Sequence, residues 1–220
     1  MSKEAKSASR DSRGRGVIVL AGEDSNDCRI VAQVIRAHIG NVKMVEITDK
    51  VRLRGASNDA TRADRVRTLI GKAKGRALRA RADLLGLVVH EDLDGVTDAK
   101  YEAIRRSIAG ELRRQSPCDC ALALTAFESE AWLMLFPDAF AHVQSRWKIP
   151  SAMQGKDTGA LANPKEMLQR TLPAPRFRES DGPRIAEAAK ALGLLTRPDG
   201  RNRSYTDFVT ELADWTTSGR

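Results

Sequence analysis

The chain has 220 residues, 41% of them apolar and 30% charged, with a formal net charge of +8. That length buries one real core and limits the protein to one domain, or a domain with an appendage. No apolar run approaches the roughly 18 residues of a membrane helix, no hydrophobic segment follows the charged N-terminus as a secretory signal requires, and Cys28, Cys118 and Cys120 make no disulfide framework. The expectation is a cytoplasmic protein with reduced thiols, whose basic balance favours a polyanionic partner.

Residues 1–15 are rich in Ser, Lys and Arg without apolar period and read as a disordered basic arm. Val17 to Leu20 read as a buried strand, and Asp27 to Ile39 as a helix with Ile30, Val31, Val34 and Ile35 on its apolar face. Gly40-Asn41 ends that helix, and Val42 to Ile47 alternate as a second strand. From Thr61 to Ala82 the spacing of Val66, Leu69, Ile70, Ala73 and Ala77 predicts a long helix. Its other positions are largely basic, and Gly71 and Gly75 weaken it. A strand ending at Asp92, a helix over 100–114 and a strand Ala121 to Thr125 follow, and Glu128 to Leu133 open another helix. No strand is expected after Leu135, where 164–172 and 182–195 are the best helical segments. Alternating strands and helices predict an α/β fold with a mostly parallel sheet over 16–135, extended by helices and loops over 136–220.

Acidic clusters fall at three of the predicted strand ends: Glu23, Asp24 and Asp27 after the first, Asp92 and Asp94 after the third, Glu128 and Glu130 after the fourth. Open parallel sheets place their chemistry beyond the carboxyl ends of the strands. On extended backbone Asp92 and Asp94 project to one side, and two such carboxylates repel unless a cation or proton lies between them. Hard oxygen donors suit Mg²⁺ or Mn²⁺. Convergence of Glu23 with Asp92 and Asp94 would build a site for ions that stabilise the attacking and leaving oxygens of a phosphodiester displacement. The plainer alternatives are an acidic turn after the third strand and, for the first cluster, helix capping by Asn26 or Asp27. His90 reads as a packed strand-end histidine, and Trp132, Trp147 and Trp215 as core or docking residues.

Gly22-Glu23-Asp24-Ser25-Asn26-Asp27 after an apolar strand resembles the acidic turn of the Toprim motif, and Asp92-Leu93-Asp94 is similar to its Asp-x-Asp element. Glu128-Ser129-Glu130-Ala131-Trp132-Leu133, Asn163 to Leu168 and Arg203 to Phe208 look like further blocks of the RloB-like bacterial Toprim-like proteins linked to restriction and phage defence. The resemblance runs from Val17 to Leu212. It departs at Asp24, where the family has Gly. Asp tolerates the left-handed turn that Gly would permit better than most residues do. The resemblance implies a Toprim-like, Rossmann-like fold and Mg²⁺- or Mn²⁺-dependent cleavage or nicking of nucleic acid, DNA ahead of RNA. Glu23, Asp92 and Asp94 would then be catalytic, with Glu23, Asp27, Asp92, Asp94, Glu128 and Glu130 around the metal, and an ATPase of a defence system is an implied partner.

Two other readings use the same residues. Asp92-Leu93-Asp94-Gly95-Val96 also resembles the first motif of haloacid-dehalogenase-type phosphatases, with Asp92 as nucleophile, although that motif belongs on a first strand. A Toprim-like module that binds nucleic acid or docks a partner without catalysis is the non-enzymatic alternative. On the basic helix Lys72, Arg76 and Arg79 are the residues expected to contact phosphates. A solvated face is the competing explanation for them.

Overall fold

Strand β1 (Gly16–Ala21) is wholly buried, as its unbroken apolar run requires. A computed structural model describes residues 16–217 of the protein; the basic arm expected over 1–15 lies outside the described residues. After β1 come α1 (Ser25–Ile39), β2 (Lys43–Ile47), α2 (Asp59–Arg79), β3 (Asp83–Asp92), α3 (Ala99–Gln115) and β4 (Asp119–Thr125). All pairings are parallel and the strand order is β2-β1-β3-β4. The fold is thus α/β with a four-stranded parallel sheet, Rossmann-like in its layering. From β1 the chain steps outward to β2, then returns across β1 to β3. The C-terminal ends of β1 and β3 therefore flank a topological switch point, the place where open α/β sheets leave a crevice.

Alternation along the strands divides the core between two faces. Val17, Val19, Ala21, Leu87, Val89, Leu122 and Leu124 pack with α2 and α3. Ile18, Leu20, Val88, Ala121 and Ala123 face α1 and the C-terminal helices. Helix α2 runs unbroken through Gly71 and Gly75, and Val66, Leu69, Ile70, Ala73 and Ala77 are its buried stripe.

Beyond β4 the chain forms α4 (Glu130–Leu133), α5 (Pro137–Val143), α6 (Pro164–Thr171), α7 (Gly182–Ala191) and α8 (Arg203–Thr217). Among the described residues no further strand forms; Asp157 and Arg201 make one isolated bridge. Trp132, Phe136, Phe140, Trp147, Phe177 and Phe208 are buried on this side and continuous with the sheet core. Trp132 stacks on Phe208, with ring centroids 5.5 Å apart. The expectation that Trp132 and Trp147 are core residues holds, since both are almost fully buried.

Helix α8 brings Tyr205, Phe208 and Leu212 into the core at helical spacing and packs across β4. A Cβ added at Gly86 on β3 would lie 2.5 Å from the Trp215 ring, so the sheet must be bare there. Polar contacts fix the same helix. Ser204 Oγ accepts from Trp132 Nε1 at 2.8 Å and from Ala126 N at 3.1 Å, and donates to Asn202 Oδ1. Glu211 accepts from Leu122 N at 2.8 Å and pairs with Arg105, also at 2.8 Å. Among the described residues no helix is long and apolar enough to cross a membrane.

Candidate functional site

The turn after β1 is tight because Gly22 lacks a side chain: a Cβ there would sit 2.9 Å from Cys28 Sγ and 3.3 Å from His90 Cβ. Asp24, rather than Asn26 or Asp27, is the N-cap of α1. Its carboxylate accepts from Asn26 N at 2.7 Å. Its backbone is extended, with φ −135°, so this position needs no left-handed turn and the Gly expected from the family resemblance is dispensable. Glu23 turns toward the loop between β2 and α2, where Arg52 Nε lies 3.5 Å away. Capping by Asp24 leaves Asp27, one turn into α1, to point inward. There its Oδ1 accepts from Ser129 Oγ at 2.6 Å.

The end of β3 holds His90, Glu91 and Asp92. His90 is 1% exposed. Its Nδ1 lies 4.0 Å from Asp27 Oδ2 and its Nε2 3.5 Å from Asp92 Oδ1. The Nδ1 atom is buried with no hydrogen-bond partner among the described residues, a costly state for a polar atom. Glu91 points to the opposite face, fully buried, and accepts from the backbone N–H groups of Leu53 and Arg54. It thereby clamps the β2–α2 loop to the sheet edge. Burial pushes its pKa up, and those two hydrogen bonds oppose the shift.

Asp92 accepts from the Thr125 hydroxyl of β4. Burial raises its pKa to about 6; the Asp27 and Asp94 carboxylates add to the rise, while His90 and the Thr125 hydrogen bond oppose it. Asp94 does not continue the strand. Its backbone is left-handed, with φ 54°, so the same-side projection expected of two residues on extended backbone does not apply. Asp94 is 70% exposed and pairs with Arg54 at 2.5 Å.

After β4, Glu128 is held by Lys165, whose Nζ lies 3.2 Å away and which also reaches Glu179 at 3.0 Å. Ser129 is buried. Glu130 is nearly so, and burial, reinforced by Asp27 and Glu128 and opposed by its own backbone N–H and Lys165, raises its pKa to about 8. The left-handed residues Asp94, Phe127 and Asn163 lie in the segments that follow β3, follow β4 and lead into Lys165. Non-glycine backbone of this kind gathers where geometry is over-determined by its surroundings.

The structure thus brings Asp27 and Asp92 to either side of His90, at the switch point, with Glu130 beside Asp27. Asp94 stands at the exposed rim, and Glu23 is as half-buried as Asp92; each of Asp94 and Glu23 is engaged by an arginine of the β2–α2 loop, and Glu128 faces Lys165. Among the described residues no three His, Cys, Asp or Glu side chains group closely enough to enclose a metal ion. Asp27 and Asp92 are hard oxygen donors of the kind Mg²⁺ takes, the buried His90 lies between them, and burial penalises the charge on Asp92. Sequence reasoning passed over Ser129, Thr125, Glu91 and Lys165 as site residues. The signal for Ser129 was its place between Glu128 and Glu130.

On α2, Lys72 is paired with Asp49 at 2.8 Å and Arg76 donates to Thr48 at 3.2 Å, while Arg79 is exposed. All three lie off the buried stripe. Comparison with known proteins adds no relative: no family model matches the chain, and neither a curated protein nor a solved structure matches it.

Proposed function

We propose that the protein cleaves or nicks nucleic acid with a divalent metal at a Toprim-like carboxylate site, within a phage-defence system. The observation that carries this reading is the placement of Asp27 and Asp92 on either side of the buried His90, at the switch point of a parallel sheet. Asp27 and Asp92 would hold Mg²⁺ or Mn²⁺, with Glu130 close by and Glu23, Asp94 and Glu128 in the surrounding shell. When bound, the ion supplies Lewis-acid stabilisation of the oxygens that attack and leave phosphorus. The chain's own groups do the positioning: Ser129 orients Asp27, Thr125 orients Asp92, and His90 spaces the two carboxylates.

The basic face of α2 supports a polyanionic substrate, since cations off the apolar stripe can meet backbone phosphates. The test is a cleavage assay with Mg²⁺ and Mn²⁺ on single-stranded DNA, duplex DNA and RNA. Asp27→Asn and Asp92→Asn should each lower the rate by about two orders of magnitude or more. Undiminished cleavage in both variants overturns the site. Binding without cleavage that survives EDTA and both substitutions would establish the non-catalytic module instead. Hydrolysis of a small phosphomonoester that needs Asp92 but neither Asp27 nor Glu23 would establish the phosphatase.

A further inference from the structure

The loop between β2 and α2 forms, with the first half of α2, an open cleft of about 530 Å³. Lys50, Arg52, Arg65 and Lys72 line it, with Val51, Leu53 and Leu69 as apolar surface and no acidic residue in the lining. The walls are built rather than loose. Leu53 is buried and its N–H is fixed by Glu91, Val51 N donates to Gly22 O at 3.3 Å, and the Arg65 guanidinium donates to the Arg52 carbonyl. Like charges gathered around one cleft repel, and that cost is relieved when an anion enters. Lys72 has Asp49 and Arg52 has Glu23 as partners at the edge; Lys50 is exposed.

We propose that this cleft binds the phosphate monoester of a nucleotide, either free or at the end of a nucleic-acid strand. A monoester carries close to two negative charges at neutral pH against one for an internal diester, so it competes better for Arg52 and Lys72, whose present partners are Glu23 and Asp49. Arginine presents a planar fork to phosphate oxygens, and the buried Val51, Leu53 and Leu69 form the floor beneath these cations. The volume falls within the range of small-molecule sites, about 300–1,000 Å³. A phosphate on Arg52 competes with its pairing to Glu23 at the cleft edge. The inference stands apart from the metal reading, because the cleft is lined by no carboxylate.

The test uses the full chain in EDTA, which keeps the metal site out of the measurement. Fluorescence anisotropy compares one labelled oligonucleotide with a 5′-phosphate, a 3′-phosphate or hydroxyls at both ends, and a nucleoside monophosphate serves as competitor. One of the phosphorylated ends should bind about tenfold tighter than the hydroxyl form, and Lys50→Gln/Arg52→Gln should erase that difference. Both residues are exposed, so the double variant should fold; an unchanged circular dichroism spectrum and melting temperature check it. Asp92→Asn should leave the preference intact even if cleavage is lost. A monophosphate that competes as well as the phosphorylated strand identifies a free nucleotide as the ligand, and a much weaker one identifies a strand end. Equal affinity for all three oligonucleotides together with no measurable binding of the monophosphate overturns the proposal. So does a preference that the double variant retains.

Discussion

Ser129 donates to Asp27 across 102 residues of sequence, at 2.6 Å. This bond joins the turn after the last strand to the first turn of the first helix, and it aims Asp27 at His90. Ser129 is buried, so its loss leaves a charged acceptor short of a partner. Ser129→Ala should therefore cost about 1.5–3 kcal/mol in urea unfolding and lower cleavage activity. Ser129→Thr, which keeps the hydroxyl, should recover part of both. Wild-type stability and activity in Ser129→Ala would show that Asp27 is positioned by other contacts.

Glu130 gives a pH dependence whose sign follows from its burial. Its folded-state pKa of about 8 lies above the ordinary 4.5, so the folded state holds the proton more tightly than the unfolded chain. The stability this contributes is complete below 4.5 and is lost as pH rises through 8. In EDTA the wild type should lose stability across that window, while Glu130→Gln, which cannot ionise, should show a flatter profile. Chemical denaturation at several pH values measures it, and parallel profiles would mean that Glu130 ionises at its ordinary pKa.

Metal binding should be visible in stability as well as in rate, since a ligand that binds only the folded state stabilises it by mass action. Mg²⁺ or Mn²⁺ should raise the melting temperature of the wild type. Asp27→Asn with Asp92→Asn should abolish the rise, whereas Asp94→Asn, at the exposed rim, should keep most of it. A full shift in the double variant would place the ion elsewhere.

The basic face of α2 is testable by salt. Lys72→Gln/Arg76→Gln/Arg79→Gln should weaken binding to DNA and RNA alike and flatten the dependence of log affinity on log salt. The melting temperature should move little, because the Lys72–Asp49 pair is solvent-exposed and such pairs contribute about 0–1 kcal/mol. Equal slopes for wild type and variant would identify the face as merely solvated.

Much of the sheet was legible because strands buried on both faces leave unbroken apolar runs, as Val17 to Leu20 and Leu87 to Val89 do. Helix α2 was legible through its stripe, and burial of that stripe carries the helix through Gly71 and Gly75. Helix α8 was not singled out, although Tyr205, Phe208, Leu212 and Trp215 carry a helical spacing. Charged and hydroxyl residues beside and between them hid the pattern, and two of these, Ser204 and Glu211, are its ties to Trp132, Leu122 and Arg105. The site was partly legible: acids at strand ends were expected to gather. Which acids face His90 depends on Arg52 and Arg54, which engage Glu23 and Asp94 in ion pairs instead. No periodicity in the sequence announces where those arginines reach.

The ties of Ser204 to Ala126 and Trp132 span 78 and 72 residues. They impose an order on biosynthesis. A ribosome delivers the whole parallel sheet long before Ser204, so the turn after β4 has its ties to Asp27 and Lys165 before it gains those to α8. Nascent chains halted before Ser204 lack these two ties, and the sheet face that packs against Tyr205, Phe208 and Leu212 is still uncovered in them.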